Sequence, residues 1–218
     1  MDKKYRYEEI ENYFNSAIED AERTGNKLIK RITLFSILES IAQEYCNYPN
    51  NNADTFEKFI CEFSSINYLD KYEPITIYYE MKNKYENIES DLNYLEDSNC
   101  YYADQIIAFE GSKKIVNEAE LRGLSLHKHT YAQLIYKYRC KLVHEFRVIG
   151  VSFNSMEIEN DINYISCGFE PNMKWIINIP YTFLKNLTNE CIKNYLKYCK
   201  NNDRDPYVNA KEYDYWYE

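Results

Sequence analysis

Apolar residues recur at intervals of three and four along much of the chain, and this spacing limits the possible folds more than any other feature. Between Tyr7 and Ala21 the apolar positions form the stripe of an amphipathic helix that ends near Gly25. A second stripe begins near Asn26 and stops before the polar segment 47–52, where a proline hinders a helix. The spacing therefore predicts two antiparallel helices joined by a short turn.

The same spacing predicts further helices in the middle of the chain. Asp54 is placed to cap the first of them, and Pro74 suits the first turn of the second, which is expected to run toward Leu92 and Leu95. A third is expected to be broken near Gly123. The predicted ranges are 53–64, 74–95, 103–121 and 130–147.

The pattern changes after residue 150. Alternation around Tyr164 and a β-branched, aromatic run at 174–179 predict a short β-hairpin at about 161–179. Helical spacing returns at about 181–199, before an acidic, aromatic tail at 201–218 that either stays loose or on its own surface, or docks a partner.

Few residues in the sequence favour turns. With 5 Gly and 5 Pro among 218 residues, a strand-rich fold is not favoured. We expect a mainly α fold, an antiparallel helical bundle with a short C-terminal β-hairpin and a final helix. A single domain is predicted over residues 1–200.

Charge, cysteine usage and hydropathy exclude some classes of protein. A net charge of -9 argues against a general nucleic-acid coating protein, although it permits a local basic site. Seven cysteines without a Cys-x-x-Cys pair favour reduced thiols over a zinc ribbon or redox motif. No apolar run approaches the ~20 residues of a membrane span, and the N-terminus is charged, so a cytoplasmic location is predicted.

The stretch 138–145 carries the residues that point to chemistry. Arg139 and His144 are separated by four residues; an arginine can hold a phosphate and a histidine can move a proton near neutral pH. On a helical wheel, His144 and Cys140 lie opposite the predicted core stripe, and Arg139 lies roughly 140° from His144. Because the two do not share one face, a second copy of the helix could supply the complement. The predicted stripe consists of Tyr131, Ile135, Tyr138, Leu142 and Phe146.

Positive charge is concentrated around this stretch. From 122 to 147 there are six basic residues and one acidic residue, Glu145, in a chain that is acidic overall. Such a patch can steer and hold a phosphate backbone; the alternative is that the lysines only keep the helix soluble. The basic residues are Arg122, Lys128, Lys137, Arg139, Lys141 and Arg147.

The segment from Arg139 to His144 resembles the R-x4-H motif of the HEPN superfamily, all-α domains of prokaryotic toxins, phage-defence proteins and RNA-guided CRISPR ribonucleases. The resemblance covers residues 7–147 as a HEPN-like bundle. It implies a metal-independent endoribonuclease, without a cofactor, in a homodimer whose two 130–147 helices meet. An antitoxin or another defence protein is an implied partner.

Residue roles also follow from the resemblance. It implies that Arg139 binds the scissile phosphate and that His144 is the general acid or base for attack by the ribose 2′-hydroxyl, leaving a 2′,3′-cyclic phosphate. Lys137, Lys141 and Arg147 are the predicted RNA-binding residues.

The sequence departs from the family pattern at two positions. Cys140 stands where many active members carry Asn, Asp or His, which supports an alternative function, a catalytically silent HEPN-like binding or regulatory module. Phe146 stands where antitoxin-controlled members often carry a Tyr, so control by AMP transfer at this position is not expected.

Other candidate sites are less favoured. His127 and His129 are interpreted as loop or cap residues, because their spacing with Cys140 matches no familiar metal site. A thiol and base pair of Cys140 and His144 lacks an identifiable orienting group. No phosphate-binding glycine loop or paired-carboxylate motif is apparent, so NTPases and common hydrolases lack support.

Overall fold

The part of the chain that the computed structural model describes, residues 3–46, 52–96, 99–145, 159–168 and 174–207, is mainly helical with a small antiparallel sheet. It contains eight α-helices: α1 Lys3–Arg23, α2 Lys27–Cys46, α3 Asn52–Phe63, α4 Pro74–Lys84, α5 Ala103–Ala108, α6 Glu110–Leu121, α7 Tyr131–Glu145 and α8 Tyr181–Asn201. The strands are β1 Cys100–Tyr102, β2 Asn163–Cys167 and β3 Lys174–Asn178, and a 3-10 helix, Leu126–His129, precedes α7.

These elements group into two compact units. Unit 1 combines residues 1–65 with 185–218, and unit 2 comprises residues 66–184. The prediction of a single domain over residues 1–200 stays a prediction. Among the described helices, none is long and apolar enough to cross a membrane.

In unit 1, the turn between α1 and α2 has the chemistry that the sequence predicts. Gly25 adopts a φ of 66°, which a residue with a side chain rarely takes. Asn26 then caps α2, because its Oδ1 accepts hydrogen bonds from the N–H groups of Leu28 at 2.9 Å and Ile29 at 3.2 Å. The first two predicted helices are therefore confirmed.

Aromatic rings fill the centre of unit 1. Phe59 and Phe63 of α3 lie 5.8 and 5.6 Å, between ring centroids, from Tyr195 of α8. Tyr45 of α2 meets Phe63 edge-on at 4.9 Å. Such edge-to-face contacts add to the free energy of burial, so α8 is part of this core and not an appendage.

The predicted inward face of α3 is confirmed, whereas the predicted cap is wrong. All four residues of that face are buried. Asp54 lies inside the first turn, because α3 already begins at Asn52. A carboxylate there still favours the helix through its positive N-terminal end. The four buried residues are Phe56, Phe59, Ile60 and Phe63.

The first part of the C-terminal tail packs on unit 1. The Arg204 guanidinium donates to the carbonyls of Glu44 and Tyr45 at 2.9 and 3.2 Å, and the Tyr195 hydroxyl donates to the Pro206 carbonyl at 2.7 Å. These bonds fix residues 204–206 against α2 and α8. The predicted acidic tail continues through 208–218, which lies outside the described residues.

In unit 2, α4 is shorter than predicted. It begins at Pro74 as expected but ends at Lys84, and the predicted continuation to Leu95 is wrong. The backbone beyond α4 is instead bound by α6: the Glu118 carboxylate accepts from the N–H groups of Glu89 and Ser90 at 3.2 and 3.0 Å. Leu95 remains buried, so its apolar character reflects packing of this irregular segment and not a helix.

The predicted helix 103–121 is two helices. It is interrupted at Phe109, whose backbone is extended, with φ of -63° and ψ of 139°. The Phe109 ring packs against the rings of Tyr94 and Tyr101, each 5.5 Å away between centroids. These ring contacts stabilise the extended backbone at Phe109, between α5 and α6. The predicted end near Gly123 is confirmed, since that glycine has a φ of 72° after α6.

The sheet has the strand order β1-β2-β3, antiparallel throughout. The pairing of β2 with β3 confirms the predicted hairpin, and the residues between them, 169–173, lie outside the described chain. β1 was not predicted; it pairs Tyr101 with Tyr164, which also faces Ile177 of β3. The predicted final helix is confirmed as α8.

Candidate functional site

The start of α7 is fixed by hydrogen bonds. The Thr130 hydroxyl accepts from the N–H of Gln133 at 3.2 Å, as an N-cap residue does. The N–H groups of Tyr131 and Ala132 donate to the carbonyls of Lys71 and Leu69 at 3.1 and 2.9 Å. Because these donors are used within the fold, the N-terminus of α7 does not offer an open anion site.

One side of α7 is buried as predicted. Tyr131, Ile135 and Leu142 are fully buried and Tyr138 nearly so. Phe146, the last residue of the predicted stripe, lies outside the described residues. Burial of this face sets the rotation of the helix, and therefore the direction in which its other side chains project.

His144 and Arg139 have different surroundings. His144 is exposed in the last turn of α7, as the helical wheel predicts. Arg139 is half-buried, and its guanidinium carbon lies 5.8 Å from the centroid of the Tyr136 ring. This cation–π contact restrains the arginine. Five residues of helix separate the two positions by ~7.5 Å along the axis and ~140° around it, so α7 does not place them on one face.

Cys140 lies one helical turn before His144 and is a half-buried free thiol. A thiol is a weak hydrogen-bond donor and a weak acceptor, so it orients an RNA phosphate or a histidine poorly. The candidate site therefore contains a strong anion-binding group and a proton-transfer group, next to a residue that contributes little polarity.

The predicted RNA-binding lysines already have partners. Lys141 forms an ion pair with Glu145, and the Lys137 ammonium donates to the Lys128 carbonyl at 2.7 Å. Lys137 is exposed as a residue, but its ammonium is folded back, and this partial burial lowers its pKa. An exposed ion pair is worth only ~0–1 kcal/mol, so Lys141 can exchange Glu145 for a phosphate at little cost. Arg147 lies outside the described residues.

Acidic residues from other elements reduce the net positive charge of the predicted basic patch. Arg122 pairs with Glu118 at 2.9 Å and lies over the Tyr85 ring, so it serves the packing of α6. Glu80, on α4, lies 2.9 Å from His129 directly before α7, and its negative charge raises the pKa of Lys137 against the effect of burial. The charge count along the sequence thus overstates the positive potential at α7.

Both histidines that precede α7 have structural partners. His129 is 4% exposed; its Nε2 lies 2.9 Å from a Glu80 oxygen and its Nδ1 lies 3.4 Å from the Thr76 hydroxyl. Burial lowers the pKa of His129. His127 is exposed and its Nδ1 lies 2.8 Å from the Ser125 hydroxyl. No group of three or more potential metal ligands occurs within the described ranges.

A buried carboxylate lies in the core beside α7, and it was not predicted from the sequence. Glu73 is fully buried; its oxygens accept from the N–H groups of Ile75 and Thr76 at 3.0 and 2.7 Å, capping α4. The Tyr164 hydroxyl donates to the Tyr131 hydroxyl at 2.8 Å, and it also acts to lower the pKa of Glu73. Burial raises the pKa of Glu73, and these hydrogen bonds oppose the rise. The one sequence signal was an acidic residue directly before a proline at a helix start.

Comparisons of the chain with protein-family models, with curated proteins and with solved structures found no match. The functional conclusion therefore depends on the residues of α7 and on the chemistry that their positions permit.

Proposed function

We propose that the chain is a HEPN-like endoribonuclease that cleaves RNA without a metal ion, with Arg139 and His144 as its catalytic residues. The observation that carries the proposal is the position of His144, exposed on α7 opposite the buried stripe, with a restrained arginine five residues earlier. A histidine placed to meet solvent can exchange protons with a bound substrate.

The proposed reaction breaks one phosphodiester bond. The ribose 2′-oxygen attacks phosphorus and forms a 2′,3′-cyclic phosphate, while the bond to the 5′-oxygen breaks and that oxygen leaves with a proton. His144 acts as general acid or base, and the Arg139 guanidinium stabilises the negative charge that grows on the phosphate oxygens. Lys137, Lys141 and Arg147 are proposed to hold the flanking phosphates.

The proposed site is composite. Since Arg139 and His144 of one chain project about 140° apart, Arg139 of one protomer is proposed to act with His144 of the other. A homodimer through α7, with the two helices meeting at a two-fold axis, brings the two groups together. The proposed setting is a cytoplasmic toxin or phage-defence effector, neutralised or triggered by a partner protein.

Mutagenesis of α7 tests the catalytic residues. His144→Ala is expected to lower the rate of cleavage of single-stranded RNA in EDTA by ~10²–10⁴, and Arg139→Ala by ~10²–10³. His127→Ala, which removes another exposed histidine, is the matched control and should retain activity. Equal cleavage by all four proteins would overturn the proposal.

Mixing the two inactive variants tests the composite site. In a dimer of Arg139→Ala with His144→Ala, one of the two sites keeps both groups. Random exchange makes about half of the dimers mixed, so about a quarter of wild-type activity should return. If mixing restores nothing although the chains exchange, Arg139 and His144 act within one chain and the composite arrangement is wrong.

A second candidate is a catalytically silent binding or regulatory module, which Cys140 favours. It predicts RNA or protein binding without cleavage by the wild-type chain. Detection of a 5′-hydroxyl product and a 2′,3′-cyclic phosphate, both lost in His144→Ala, separates the first candidate from the second.

A further inference from the structure

A row of three lysines lies on the outer face of α8, in unit 1. Lys193, Lys197 and Lys200 are all exposed and follow one another at intervals of four and three residues. On a helix this places them within an arc of ~60° and over ~10 Å of axis length. The row thus presents three ammonium groups in one direction.

These three lysines form no ion pair with any described residue, whereas several other basic residues of unit 1 do. Elsewhere in this unit, Arg6 binds Asp205 at 2.8 Å and Lys185 binds Glu22 at 2.7 Å. Arg23 binds two acidic residues of its own helix. The row is therefore a local concentration of positive charge in a chain with a net charge of -9.

The row forms one wall of a groove whose other wall belongs to α1. The groove has a volume of about 360 Å³ and is lined by Tyr7, Glu8 and Glu11 opposite the lysines. The Tyr7 hydroxyl donates to the Arg204 carbonyl at 2.9 Å, which ties α1 to the residues that follow α8. The two walls are therefore held at a defined separation.

We propose that the lysine row binds the phosphate backbone of single-stranded RNA. Charge complementarity supports this occupant: a row of cations beside an aromatic residue matches the way proteins follow a single strand, and the glutamate wall repels phosphates and confines them to the lysine side. The identification of the anion as RNA rests on the proposed function. The lysine row would then be a second RNA-binding surface, separate from α7.

The test measures binding of a 2′-O-methyl RNA oligonucleotide, which cannot be cleaved by 2′-hydroxyl attack. Fluorescence anisotropy is recorded for the wild type and for the triple variant Lys193→Gln, Lys197→Gln, Lys200→Gln at ~50 and ~200 mM salt. The control removes the same charge from exposed lysines of unit 2, by Lys113→Gln, Lys114→Gln, Lys174→Gln.

Each lysine on a single-strand phosphate contributes ~0.7 to the slope of log affinity against log salt. Loss of three contacts should lower the slope by about 2, so the affinity advantage of the wild type over the triple variant shrinks about 20-fold between the two salt concentrations. The control should keep the wild-type slope. Glu8→Gln, Glu11→Gln should tighten binding, because it removes the repelling wall.

Equal affinity and salt slope for the triple variant and its control would overturn the inference. So would lysine-dependent binding to vesicles of phosphatidylserine and phosphatidylcholine in the absence of RNA binding. If the wild type binds RNA through the row but cleaves none, the proposed nuclease fails while the inference stands. If it cleaves RNA and the row makes no difference to binding, only the inference fails.

Discussion

Tyr164→Phe tests whether the buried cluster of Glu73, Tyr131 and Tyr164 stabilises the protein. The Tyr164 hydroxyl donates to the Tyr131 hydroxyl at 2.8 Å, and the side chains of Tyr164, Tyr131 and Glu73 are all fully buried. A hydrogen bond between neutral groups contributes ~0.5–1.5 kcal/mol, and a buried hydroxyl left without a partner costs ~1–3 kcal/mol. We therefore expect the free energy of unfolding to fall by ~2–4 kcal/mol, and Tm by roughly 6–12 °C.

The loss should depend on pH in a defined direction. Burial already raises the pKa of Glu73, and the nearby Tyr164 hydroxyl opposes that rise. A carboxyl with a raised pKa in the folded state contributes stability that is present below its unfolded pKa of ~4.3 and is lost as the pH rises through the folded value. Removing the hydroxyl raises the folded pKa further, so the difference between wild type and variant should widen as the pH increases.

Urea unfolding of both proteins between about pH 4.5 and 8 measures these effects. Tyr13→Phe is the matched control, because Tyr13 is 69% exposed and its hydroxyl should contribute little. A loss below ~0.5 kcal/mol, or a difference that stays constant with pH, would refute the proposed role of the cluster.

Three further changes probe α7 and its surroundings. Leu142→Ala should cost ~2–5 kcal/mol in urea unfolding, because it leaves a cavity at a fully buried position; a cost near that of Lys141→Ala would contradict the burial. Burial lowers the pKa of His129, so the folded state binds a proton there less readily than the unfolded state, and stability falls as the pH drops below ~6.5. His129→Gln should therefore reduce the dependence of the free energy of unfolding on pH between pH ~8 and ~5. An unchanged pH dependence would contradict this role of His129. Cys140→Asn should raise RNA cleavage ~10-fold or more in a fluorogenic assay, since an amide can orient the phosphate; no increase would remove Cys140 as the cause of any weak activity.

Features that depend on local spacing were predictable from the sequence. The buried face of α7 could be predicted because apolar residues recur every three or four positions, at Tyr131, Ile135, Tyr138 and Leu142. This spacing can be recognised without knowing which distant residues pack against the helix. The exposure of His144 follows from the same spacing, because the helical wheel places His144 opposite the apolar residues. The turn chemistry at Gly25 is local in the same sense.

Features that depend on distant residues were not predictable. β1 is a three-residue strand that exists through pairing with β2, some 60 positions later in the chain. Beyond the end of α4, the backbone at Glu89 and Ser90 is bound by Glu118, a residue some 30 positions later in the chain. The positive patch on α7 was overestimated for the same reason, since Glu80 comes from another helix and does not appear in a count along one segment.

The discontinuity of unit 1 has a consequence for the order of folding. Its aromatic core joins α2 and α3 to α8, which follows the whole of unit 2 along the chain. During synthesis, α1 to α3 emerge long before Tyr195 is available to cover Phe59 and Phe63. Closing a flexible loop as long as residues 66–184 costs ~4 kcal/mol in chain entropy beyond a constant, whereas a folded insert removes most of that freedom in advance. Unit 2 should therefore acquire hydrogen-exchange protection first, and the N-terminal helices should remain open to proteases and chaperones until α8 is made.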